Sequence, residues 1–220
     1  MTTARQVRRL VRPLLKRHPD LALVASHSLW LTPVTHVAKV IHIGRTSSAH
    51  YCDPKWWLLP LFLPNTNPMK RVGFCCVDIY PPTDDSKSLD LWFWDNPIMS
   101  SELLARIEKA LRLMRTLDDL RSCRSFTEAH MNYTWGKTFN ENLVYDIAMG
   151  NLSLARCWWQ KVKTSYPRLC ERIHEIGPPL MDDDRTALAA VLHRWERENV
   201  AGTAVEPFWT PTPFPLEKTG

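Results

Sequence analysis

The chain has 220 residues, of which 45% are hydrophobic and 23% charged, with a formal net charge of +5 and a pI of about 8.9. That length bounds it to one large domain or one and a half small ones, and the composition excludes a largely disordered chain. The longest apolar stretch runs from Trp56 to Leu63, is broken by Pro60 and closed by Pro64, and falls far short of the roughly 20 residues that a membrane helix requires.

The first eighteen residues contain no apolar run free of Arg, so a secretory signal is not expected. Their Arg-rich, acid-free character is shared with mitochondrial presequences, a weaker reading because the segment joins the next element without a break. Over residues 6–17, Val7, Leu10, Val11, Leu14 and Leu15 recur at helical spacing, while Arg5, Arg8, Arg9, Arg12 and Lys16 fall on the opposite side. This predicts an amphipathic helix with a basic outer face. Pro13 lies inside the pattern and is expected to kink or divide it, because it lacks an N–H and crowds the preceding turn.

The period then changes. Residues 21–25, 29–34 and 37–43 are short runs rich in Val, Ile and Leu and are expected to be strands. Residues 51–64 combine Trp, Leu and Pro and read as a short helical turn plus a strand. Residues 72–80 and 89–94 form a second pair of strand-like runs, joined by a polar segment over 81–86. Nearly every position in them is apolar, as in strands covered on both faces. Ser100 and Ser101 precede a run whose face is lined by Leu103, Leu104, Ile107, Ala110, Leu111, Met114 and Leu117, the clearest helix in the chain. A polar connection is expected over 121–132, followed by helices over 141–149, 152–164, 167–176 and 184–199, the last capped by the run Asp182, Asp183 and Asp184. The tail from Glu206 carries four Pro and is expected to be extended.

The segment Gly150-Asn151-Leu152-Ser153-Leu154-Ala155, preceded by Ala148, resembles the joint between the two helices of a tetratricopeptide-type hairpin. The resemblance implies that Gly150 ends the first helix and that the small Ala residues let the two helices approach closely. It covers about 25 residues and occurs once, whereas such solenoids need at least three stacked repeats, so it bears on packing alone. The resulting expectation is an α+β fold: an N-terminal helix, a mainly antiparallel sheet of about four to six strands covered by a helix, and an all-helical C-terminal region with helical hairpins. Three segments are expected, an α+β domain over 1–125, a helical-hairpin region over 126–205 packed on it, and a Pro-rich tail over 206–220.

The chemistry-bearing patterns are mostly absent. The seven Gly, at 44, 73, 136, 150, 177, 202 and 220, are too far apart for a phosphate-cradling loop, a dinucleotide fingerprint or a Gly-x-Ser-x-Gly nucleophile elbow. No Cys-x-x-Cys or His-Glu-x-x-His occurs. The nearest approach to a ligand set, His42, His50, Cys52 and Asp53, reads as ordinary loop and strand residues, so no metal and no cofactor is expected. The six Cys, at 52, 75, 76, 123, 157 and 170, have no regular spacing and read as reduced, mostly buried thiols of a cytoplasmic protein, with Cys75 and Cys76 on opposite faces of a strand. The aromatic doublets Trp56-Trp57 and Trp158-Trp159 read as core before partner platform.

These absences place first a non-catalytic protein-interaction or accessory module, with another protein as its partner. The alternative is a hydrolase or transferase with a Cys/His or carboxylate site that no motif reveals. The third is a polyanion or nucleic-acid binder that uses Arg5, Arg8, Arg9, Arg12 and Lys16, ranked behind a merely solvated helix face.

Overall fold

The computed structural model describes residues 2–46, 48–64, 66, 68–69, 75–82, 91–130 and 139–218. It has the expected α+β architecture: an N-terminal helix, an antiparallel sheet, a covering helix, and a helical C-terminal region. In chain order the elements are α1 (Ala4–Arg17), β1 (Leu21–Val24), β2 (Ser28–Leu31), β3 (Val37–Arg45), β4 (Tyr51–Pro60), β5 (Cys75–Asp78) and β6 (Trp92–Phe93), followed by α2 (Met99–Thr116), α3 (Leu120–His130), α4 (Phe139–Ala148), α5 (Leu152–Ser165), α6 (Pro167–Arg172), α7 (Gly177–Met181), α8 (Arg185–Val200) and α9 (Pro215–Lys218). Short 3-10 turns lie at His174–Ile176 and Glu206–Phe208. No helix among the described residues is long and apolar enough to cross a membrane.

The sheet is a meander, β1-β2-β3-β4-β5, with β6 returning to pair with the start of β4. Its register lines up Ala22, Trp30, Val40, Trp57 and Cys76 in one row across five strands. The neighbouring row, Leu23, Leu29, Ile41, Trp56 and Val77, points to the other face, because successive side chains alternate. Both faces are covered. The Trp56 face joins α1, α2 and α3 in the main apolar cluster, and the Trp57 face packs Val40, Leu59 and Leu61 against Val200 and Val205 at the end of α8 and beyond it.

Coverage on both faces explains β4, where the sequence reads as a turn plus a strand and the structure has one ten-residue strand. With Trp56 and Trp57 both buried, the apolar-polar alternation that reveals a half-buried strand is erased. The polar connection expected over 121–132 is likewise mostly the helix α3. Asp119 caps it, accepting from the Ser122 N–H at 2.6 Å, and Leu120, Cys123 and Phe126 are buried, with the Phe126 ring 5.1 Å from that of Trp56. Helix α2 starts at Met99 without a side-chain cap, and Ser101 instead donates to the Ile98 carbonyl at 2.9 Å.

The α4–α5 joint has the form its sequence implies. Gly150 has φ 79°, its N–H reaches the Ile147 carbonyl, and the Asn151 N–H reaches that of Asp146, both at 2.8–2.9 Å. This is the bond pair of a Schellman turn, in which a residue other than Gly would be strained. Ala148 and Ala155 are fully buried. The C-terminal tail departs from the expected extended form. It makes a 3-10 turn at 206–208 and the short helix α9, and its Phe214 and Leu216 are fully buried.

Candidate functional site

Helix α1 is held by three local devices. Thr3 and Gln6 form a reciprocal capping box, in which the Gln6 N–H donates to Thr3 Oγ1 at 3.2 Å and the Thr3 N–H to Gln6 Oε1 at 2.8 Å. Val7, Leu10, Val11 and Leu14 are buried against the sheet. At the other end the His18 N–H closes onto the Leu14 carbonyl at 2.9 Å. The helix runs through Pro13 rather than dividing there. Pro13 sits on the exposed side, so its ring displaces no core residue.

Arg5, Arg8, Arg9, Arg12 and Lys16 are all exposed on the opposite face. None of them forms an ion pair with a described residue, whereas Arg17, at the helix edge, meets Glu108 of α2 at 2.9 Å. Helix α2 runs parallel and alongside: the Trp94 indole just before it donates to Thr2 Oγ1 at 3.1 Å, and His18 lies 2.9 Å from Glu108. Beyond them Arg115 makes two 2.9 Å bonds to Asp20. The exposed positions of α2 include Lys109 and Arg112 and no acid. Six cations and no anion lie within α1, so the chain's +5 becomes −1 when that helix is set aside.

The other polar constellations hold the fold together. Glu196 is fully buried, with its oxygens 3.1 and 3.3 Å from His36 Nδ1. The other His36 nitrogen lies 3.0 Å from Thr212 Oγ1, and Phe214 stacks on the ring at 3.9 Å. The imidazole is thereby enclosed by the tail it anchors. Lys55 lies between Asp53 and Asp78 at 3.1 and 2.9 Å. Burial opposes its charge, but the two carboxylates outweigh this and hold its pKa well above the usual lysine value.

The sequence-based metal set does not converge. His42 and Asp53 share one sheet face, while Cys52 is buried on the other. Among the described residues no group of three or more His, Cys, Asp or Glu could hold a metal ion. Burial pushes the thiol of Cys52 up to about 12 and that of Cys123 up to about 11, far from thiolate character at neutral pH. Cys76 is exposed on the Trp57 face and the side chain of Cys75 lies outside the described residues.

One pair escaped the sequence reading. Ser28 Oγ and His42 Nδ1, cross-strand neighbours on β2 and β3, are 2.9 Å apart, with the Trp57 ring 5.2 Å from the imidazole. A hydroxyl against an imidazole is the first half of a nucleophile–base arrangement. Strand pairing alone creates it, and neither residue stands in a motif that would have flagged it. Comparison with family models, with curated proteins and with solved structures finds no match to this chain.

Proposed function

We propose that this chain is a non-catalytic binding module, an accessory protein of the cytoplasm, whose working surface is the outer face of α1 and whose partner is anionic there. The observation that carries the reading is the unpaired state of Arg5, Arg8, Arg9, Arg12 and Lys16 among the described residues. Such an arrangement is unfavourable for the helix itself. Like charges three or four residues apart destabilise by ~0.2–0.5 kcal/mol each. Arg5–Arg8, Arg5–Arg9, Arg8–Arg12, Arg9–Arg12 and Arg12–Lys16 are all so spaced. Arg5 also stands in the first turn, where no acid balances the positive end of the helix dipole. A face that only meets water is better served by interleaved Glu, which turns the same spacings into attractions. The cytoplasmic assignment draws on the five described cysteines free of disulfides.

The test is retention of the intact chain on heparin. The parent is expected to bind and to elute earlier as salt rises, and the variant with Arg5, Arg8, Arg9 and Arg12 all changed to Gln is expected to stay folded and flow through. Leu10→Ala serves as the structural control, with an expected loss of ~2–5 kcal/mol in urea unfolding, as for other buried leucines. A parent that is not retained at low salt removes the proposal. The alternative, a hydrolase, draws on the Ser28–His42 contact. A serine-directed phosphonate that labels the parent but not Ser28→Ala would favour it.

A further inference from the structure

We infer that α1 and α2 together form a flat basic platform that binds the phosphate backbone of a nucleic-acid duplex without reading its sequence. The inference rests on the anionic-partner reading above and names the partner. Both helices bury their apolar stripes in the same cluster over the same sheet face, through Val7, Leu10, Val11 and Leu14 on one and Leu103, Ile107, Leu111 and Met114 on the other. The contacts along their flanks set the two helices parallel, and their exposed positions carry Arg5, Arg8, Arg9, Arg12 and Lys16 on α1 and Lys109 and Arg112 on α2.

Three classes of anionic partner make different demands on such a surface. An interfacial membrane helix inserts its apolar face among the lipids, but the apolar face of α1 is already buried in the core. A protein interface concentrates its energy in a few buried aromatic and aliphatic anchors. The exposed positions of α1 offer none, and those of α2 offer the single side chain Leu113. What remains is charge beside two exposed aliphatic side chains, Leu113 on α2 and Ile98 at its N-cap, and such a surface binds usefully only to a partner of very high charge density. A duplex carries one phosphate per ~1.7 Å of its axis with both strands counted, so the ~16 Å of helix from Arg5 to Lys16 lies along a stretch that holds about ten phosphates, of which those on the near side are in reach.

A single strand is disfavoured on the same surface, since its binding relies on aromatic platforms for base stacking and no exposed position of α1 or α2 holds an aromatic residue. Sequence readout is absent for a geometric reason. A recognition helix enters the major groove as a projecting rod, whereas α1 lies with one side against the sheet and its capped end bonded to Tyr51 and Trp94.

The experiment measures binding of the intact chain, by fluorescence anisotropy between about 50 and 200 mM salt, to a DNA duplex of about 20 base pairs and to an RNA duplex and a single strand of equal length. Polyglutamate and phosphatidylcholine vesicles with and without phosphatidylserine are the other anionic probes. The expected result is duplex binding that is independent of sequence, with log K falling against log salt at a slope of about −4.5 or steeper, which is a loss of roughly 500-fold across that range. Changing Arg5, Arg8, Arg9 and Arg12 together to Gln should make the slope shallower by about 3.6, and Lys109→Gln with Arg112→Gln by up to about 1.8. An unchanged slope in the α2 variant confines the contact to α1 and overturns the platform. Single-strand binding as tight as duplex binding overturns the duplex assignment. So does α1-dependent binding of polyglutamate or phosphatidylserine vesicles in place of duplex, although the anionic-partner reading then survives. If no probe binds, or the α1 variant binds every probe as the parent does, both readings fall together.

Discussion

Asp146 shows how a charged residue inside an apolar run becomes structural. Its side chain is fully buried on α4 and is met by Arg124 Nη1 at 2.5 Å, Arg124 Nη2 at 3.4 Å, the Trp158 indole at 2.9 Å and Asn151 Nδ2 at 3.2 Å. A buried carboxylate is tolerated when its lone pairs are satisfied and its charge is matched. Burial works against the charge of Arg124, but the carboxylates of Asp146 and Glu128 outweigh it and hold the guanidinium pKa above its ordinary value. The group ties three elements, α3, α4 and α5, at the hairpin that ends in Gly150. Asp146→Ala is expected to lower stability by ~3–5 kcal/mol in urea unfolding, since it removes the buried carboxylate that Arg124, the Trp158 indole and Asn151 share and leaves the half-buried Arg124 with Glu128 alone. A loss under about 1 kcal/mol would show that water replaces the carboxylate at little cost. None of this was legible in the sequence, because Arg124 stands in the stretch that reads as a polar connection and the pairing exists only once α3 has formed.

At the scale of elements, legibility followed how completely each one is covered. Helix α1 was readable because one side is buried and the other exposed, so its 3.6-residue period survives in the composition. Strand β4 was not, because burial of both Trp56 and Trp57 removes the period of two. Helix α3 hid because its apolar positions, Leu120, Cys123 and Phe126, are few and its Arg and Ser residues dominate the local composition. The tail hid for a different reason: its prolines favour extended backbone, yet Phe214 and Glu217 satisfy one another across α9, the Phe214 N–H donating to Glu217 Oε2 at 2.6 Å and the Glu217 N–H to the Phe214 carbonyl at 3.0 Å. Glu217 Oε2 also lies 2.9 Å from His193 Nε2. Burial raises the Glu217 pKa, but the Phe214 N–H and His193 more than offset this and hold it below the usual glutamate value. A carboxylate with a depressed folded-state pKa contributes stability that is present above the unfolded value, about 4.3, and lost as pH falls through the folded value. Acidification below that range is therefore expected to release α9 first, seen as rising amide exchange at Phe214 and residues 216–218, and Glu217→Gln should abolish the pH dependence of that exchange. Exchange independent of pH in the parent, after correction for intrinsic rates, would contradict it.

At the scale of the molecule, one apolar cluster extends from Val7 in α1 through the sheet and the C-terminal helices to Phe214 and Leu216 in the tail. Phe214 joins several parts of it. It is fully buried, stacked on His36 at 3.9 Å and set edge-on to Phe62 at 5.6 Å, while Phe62 in turn meets Tyr145 of α4 at 5.1 Å. The last residues thus pack against side chains from just before β3, just after β4 and from α4, which ties the two ends of the sequence into the same core. Because a shared core cannot be lost piecemeal without exposing the remainder, unfolding should be cooperative, with tryptophan fluorescence and far-UV circular dichroism reporting the same urea transition. Phe214→Ala is expected to shift that single transition by ~3–5 kcal/mol, as for other buried aromatic truncations, with the urea dependence unchanged. If the tail were only laid over a finished core, the variant would keep the parental midpoint. If the sheet and the C-terminal helices were separate units, the two probes would part company in the parent itself, and truncating Phe214 would move only one of them.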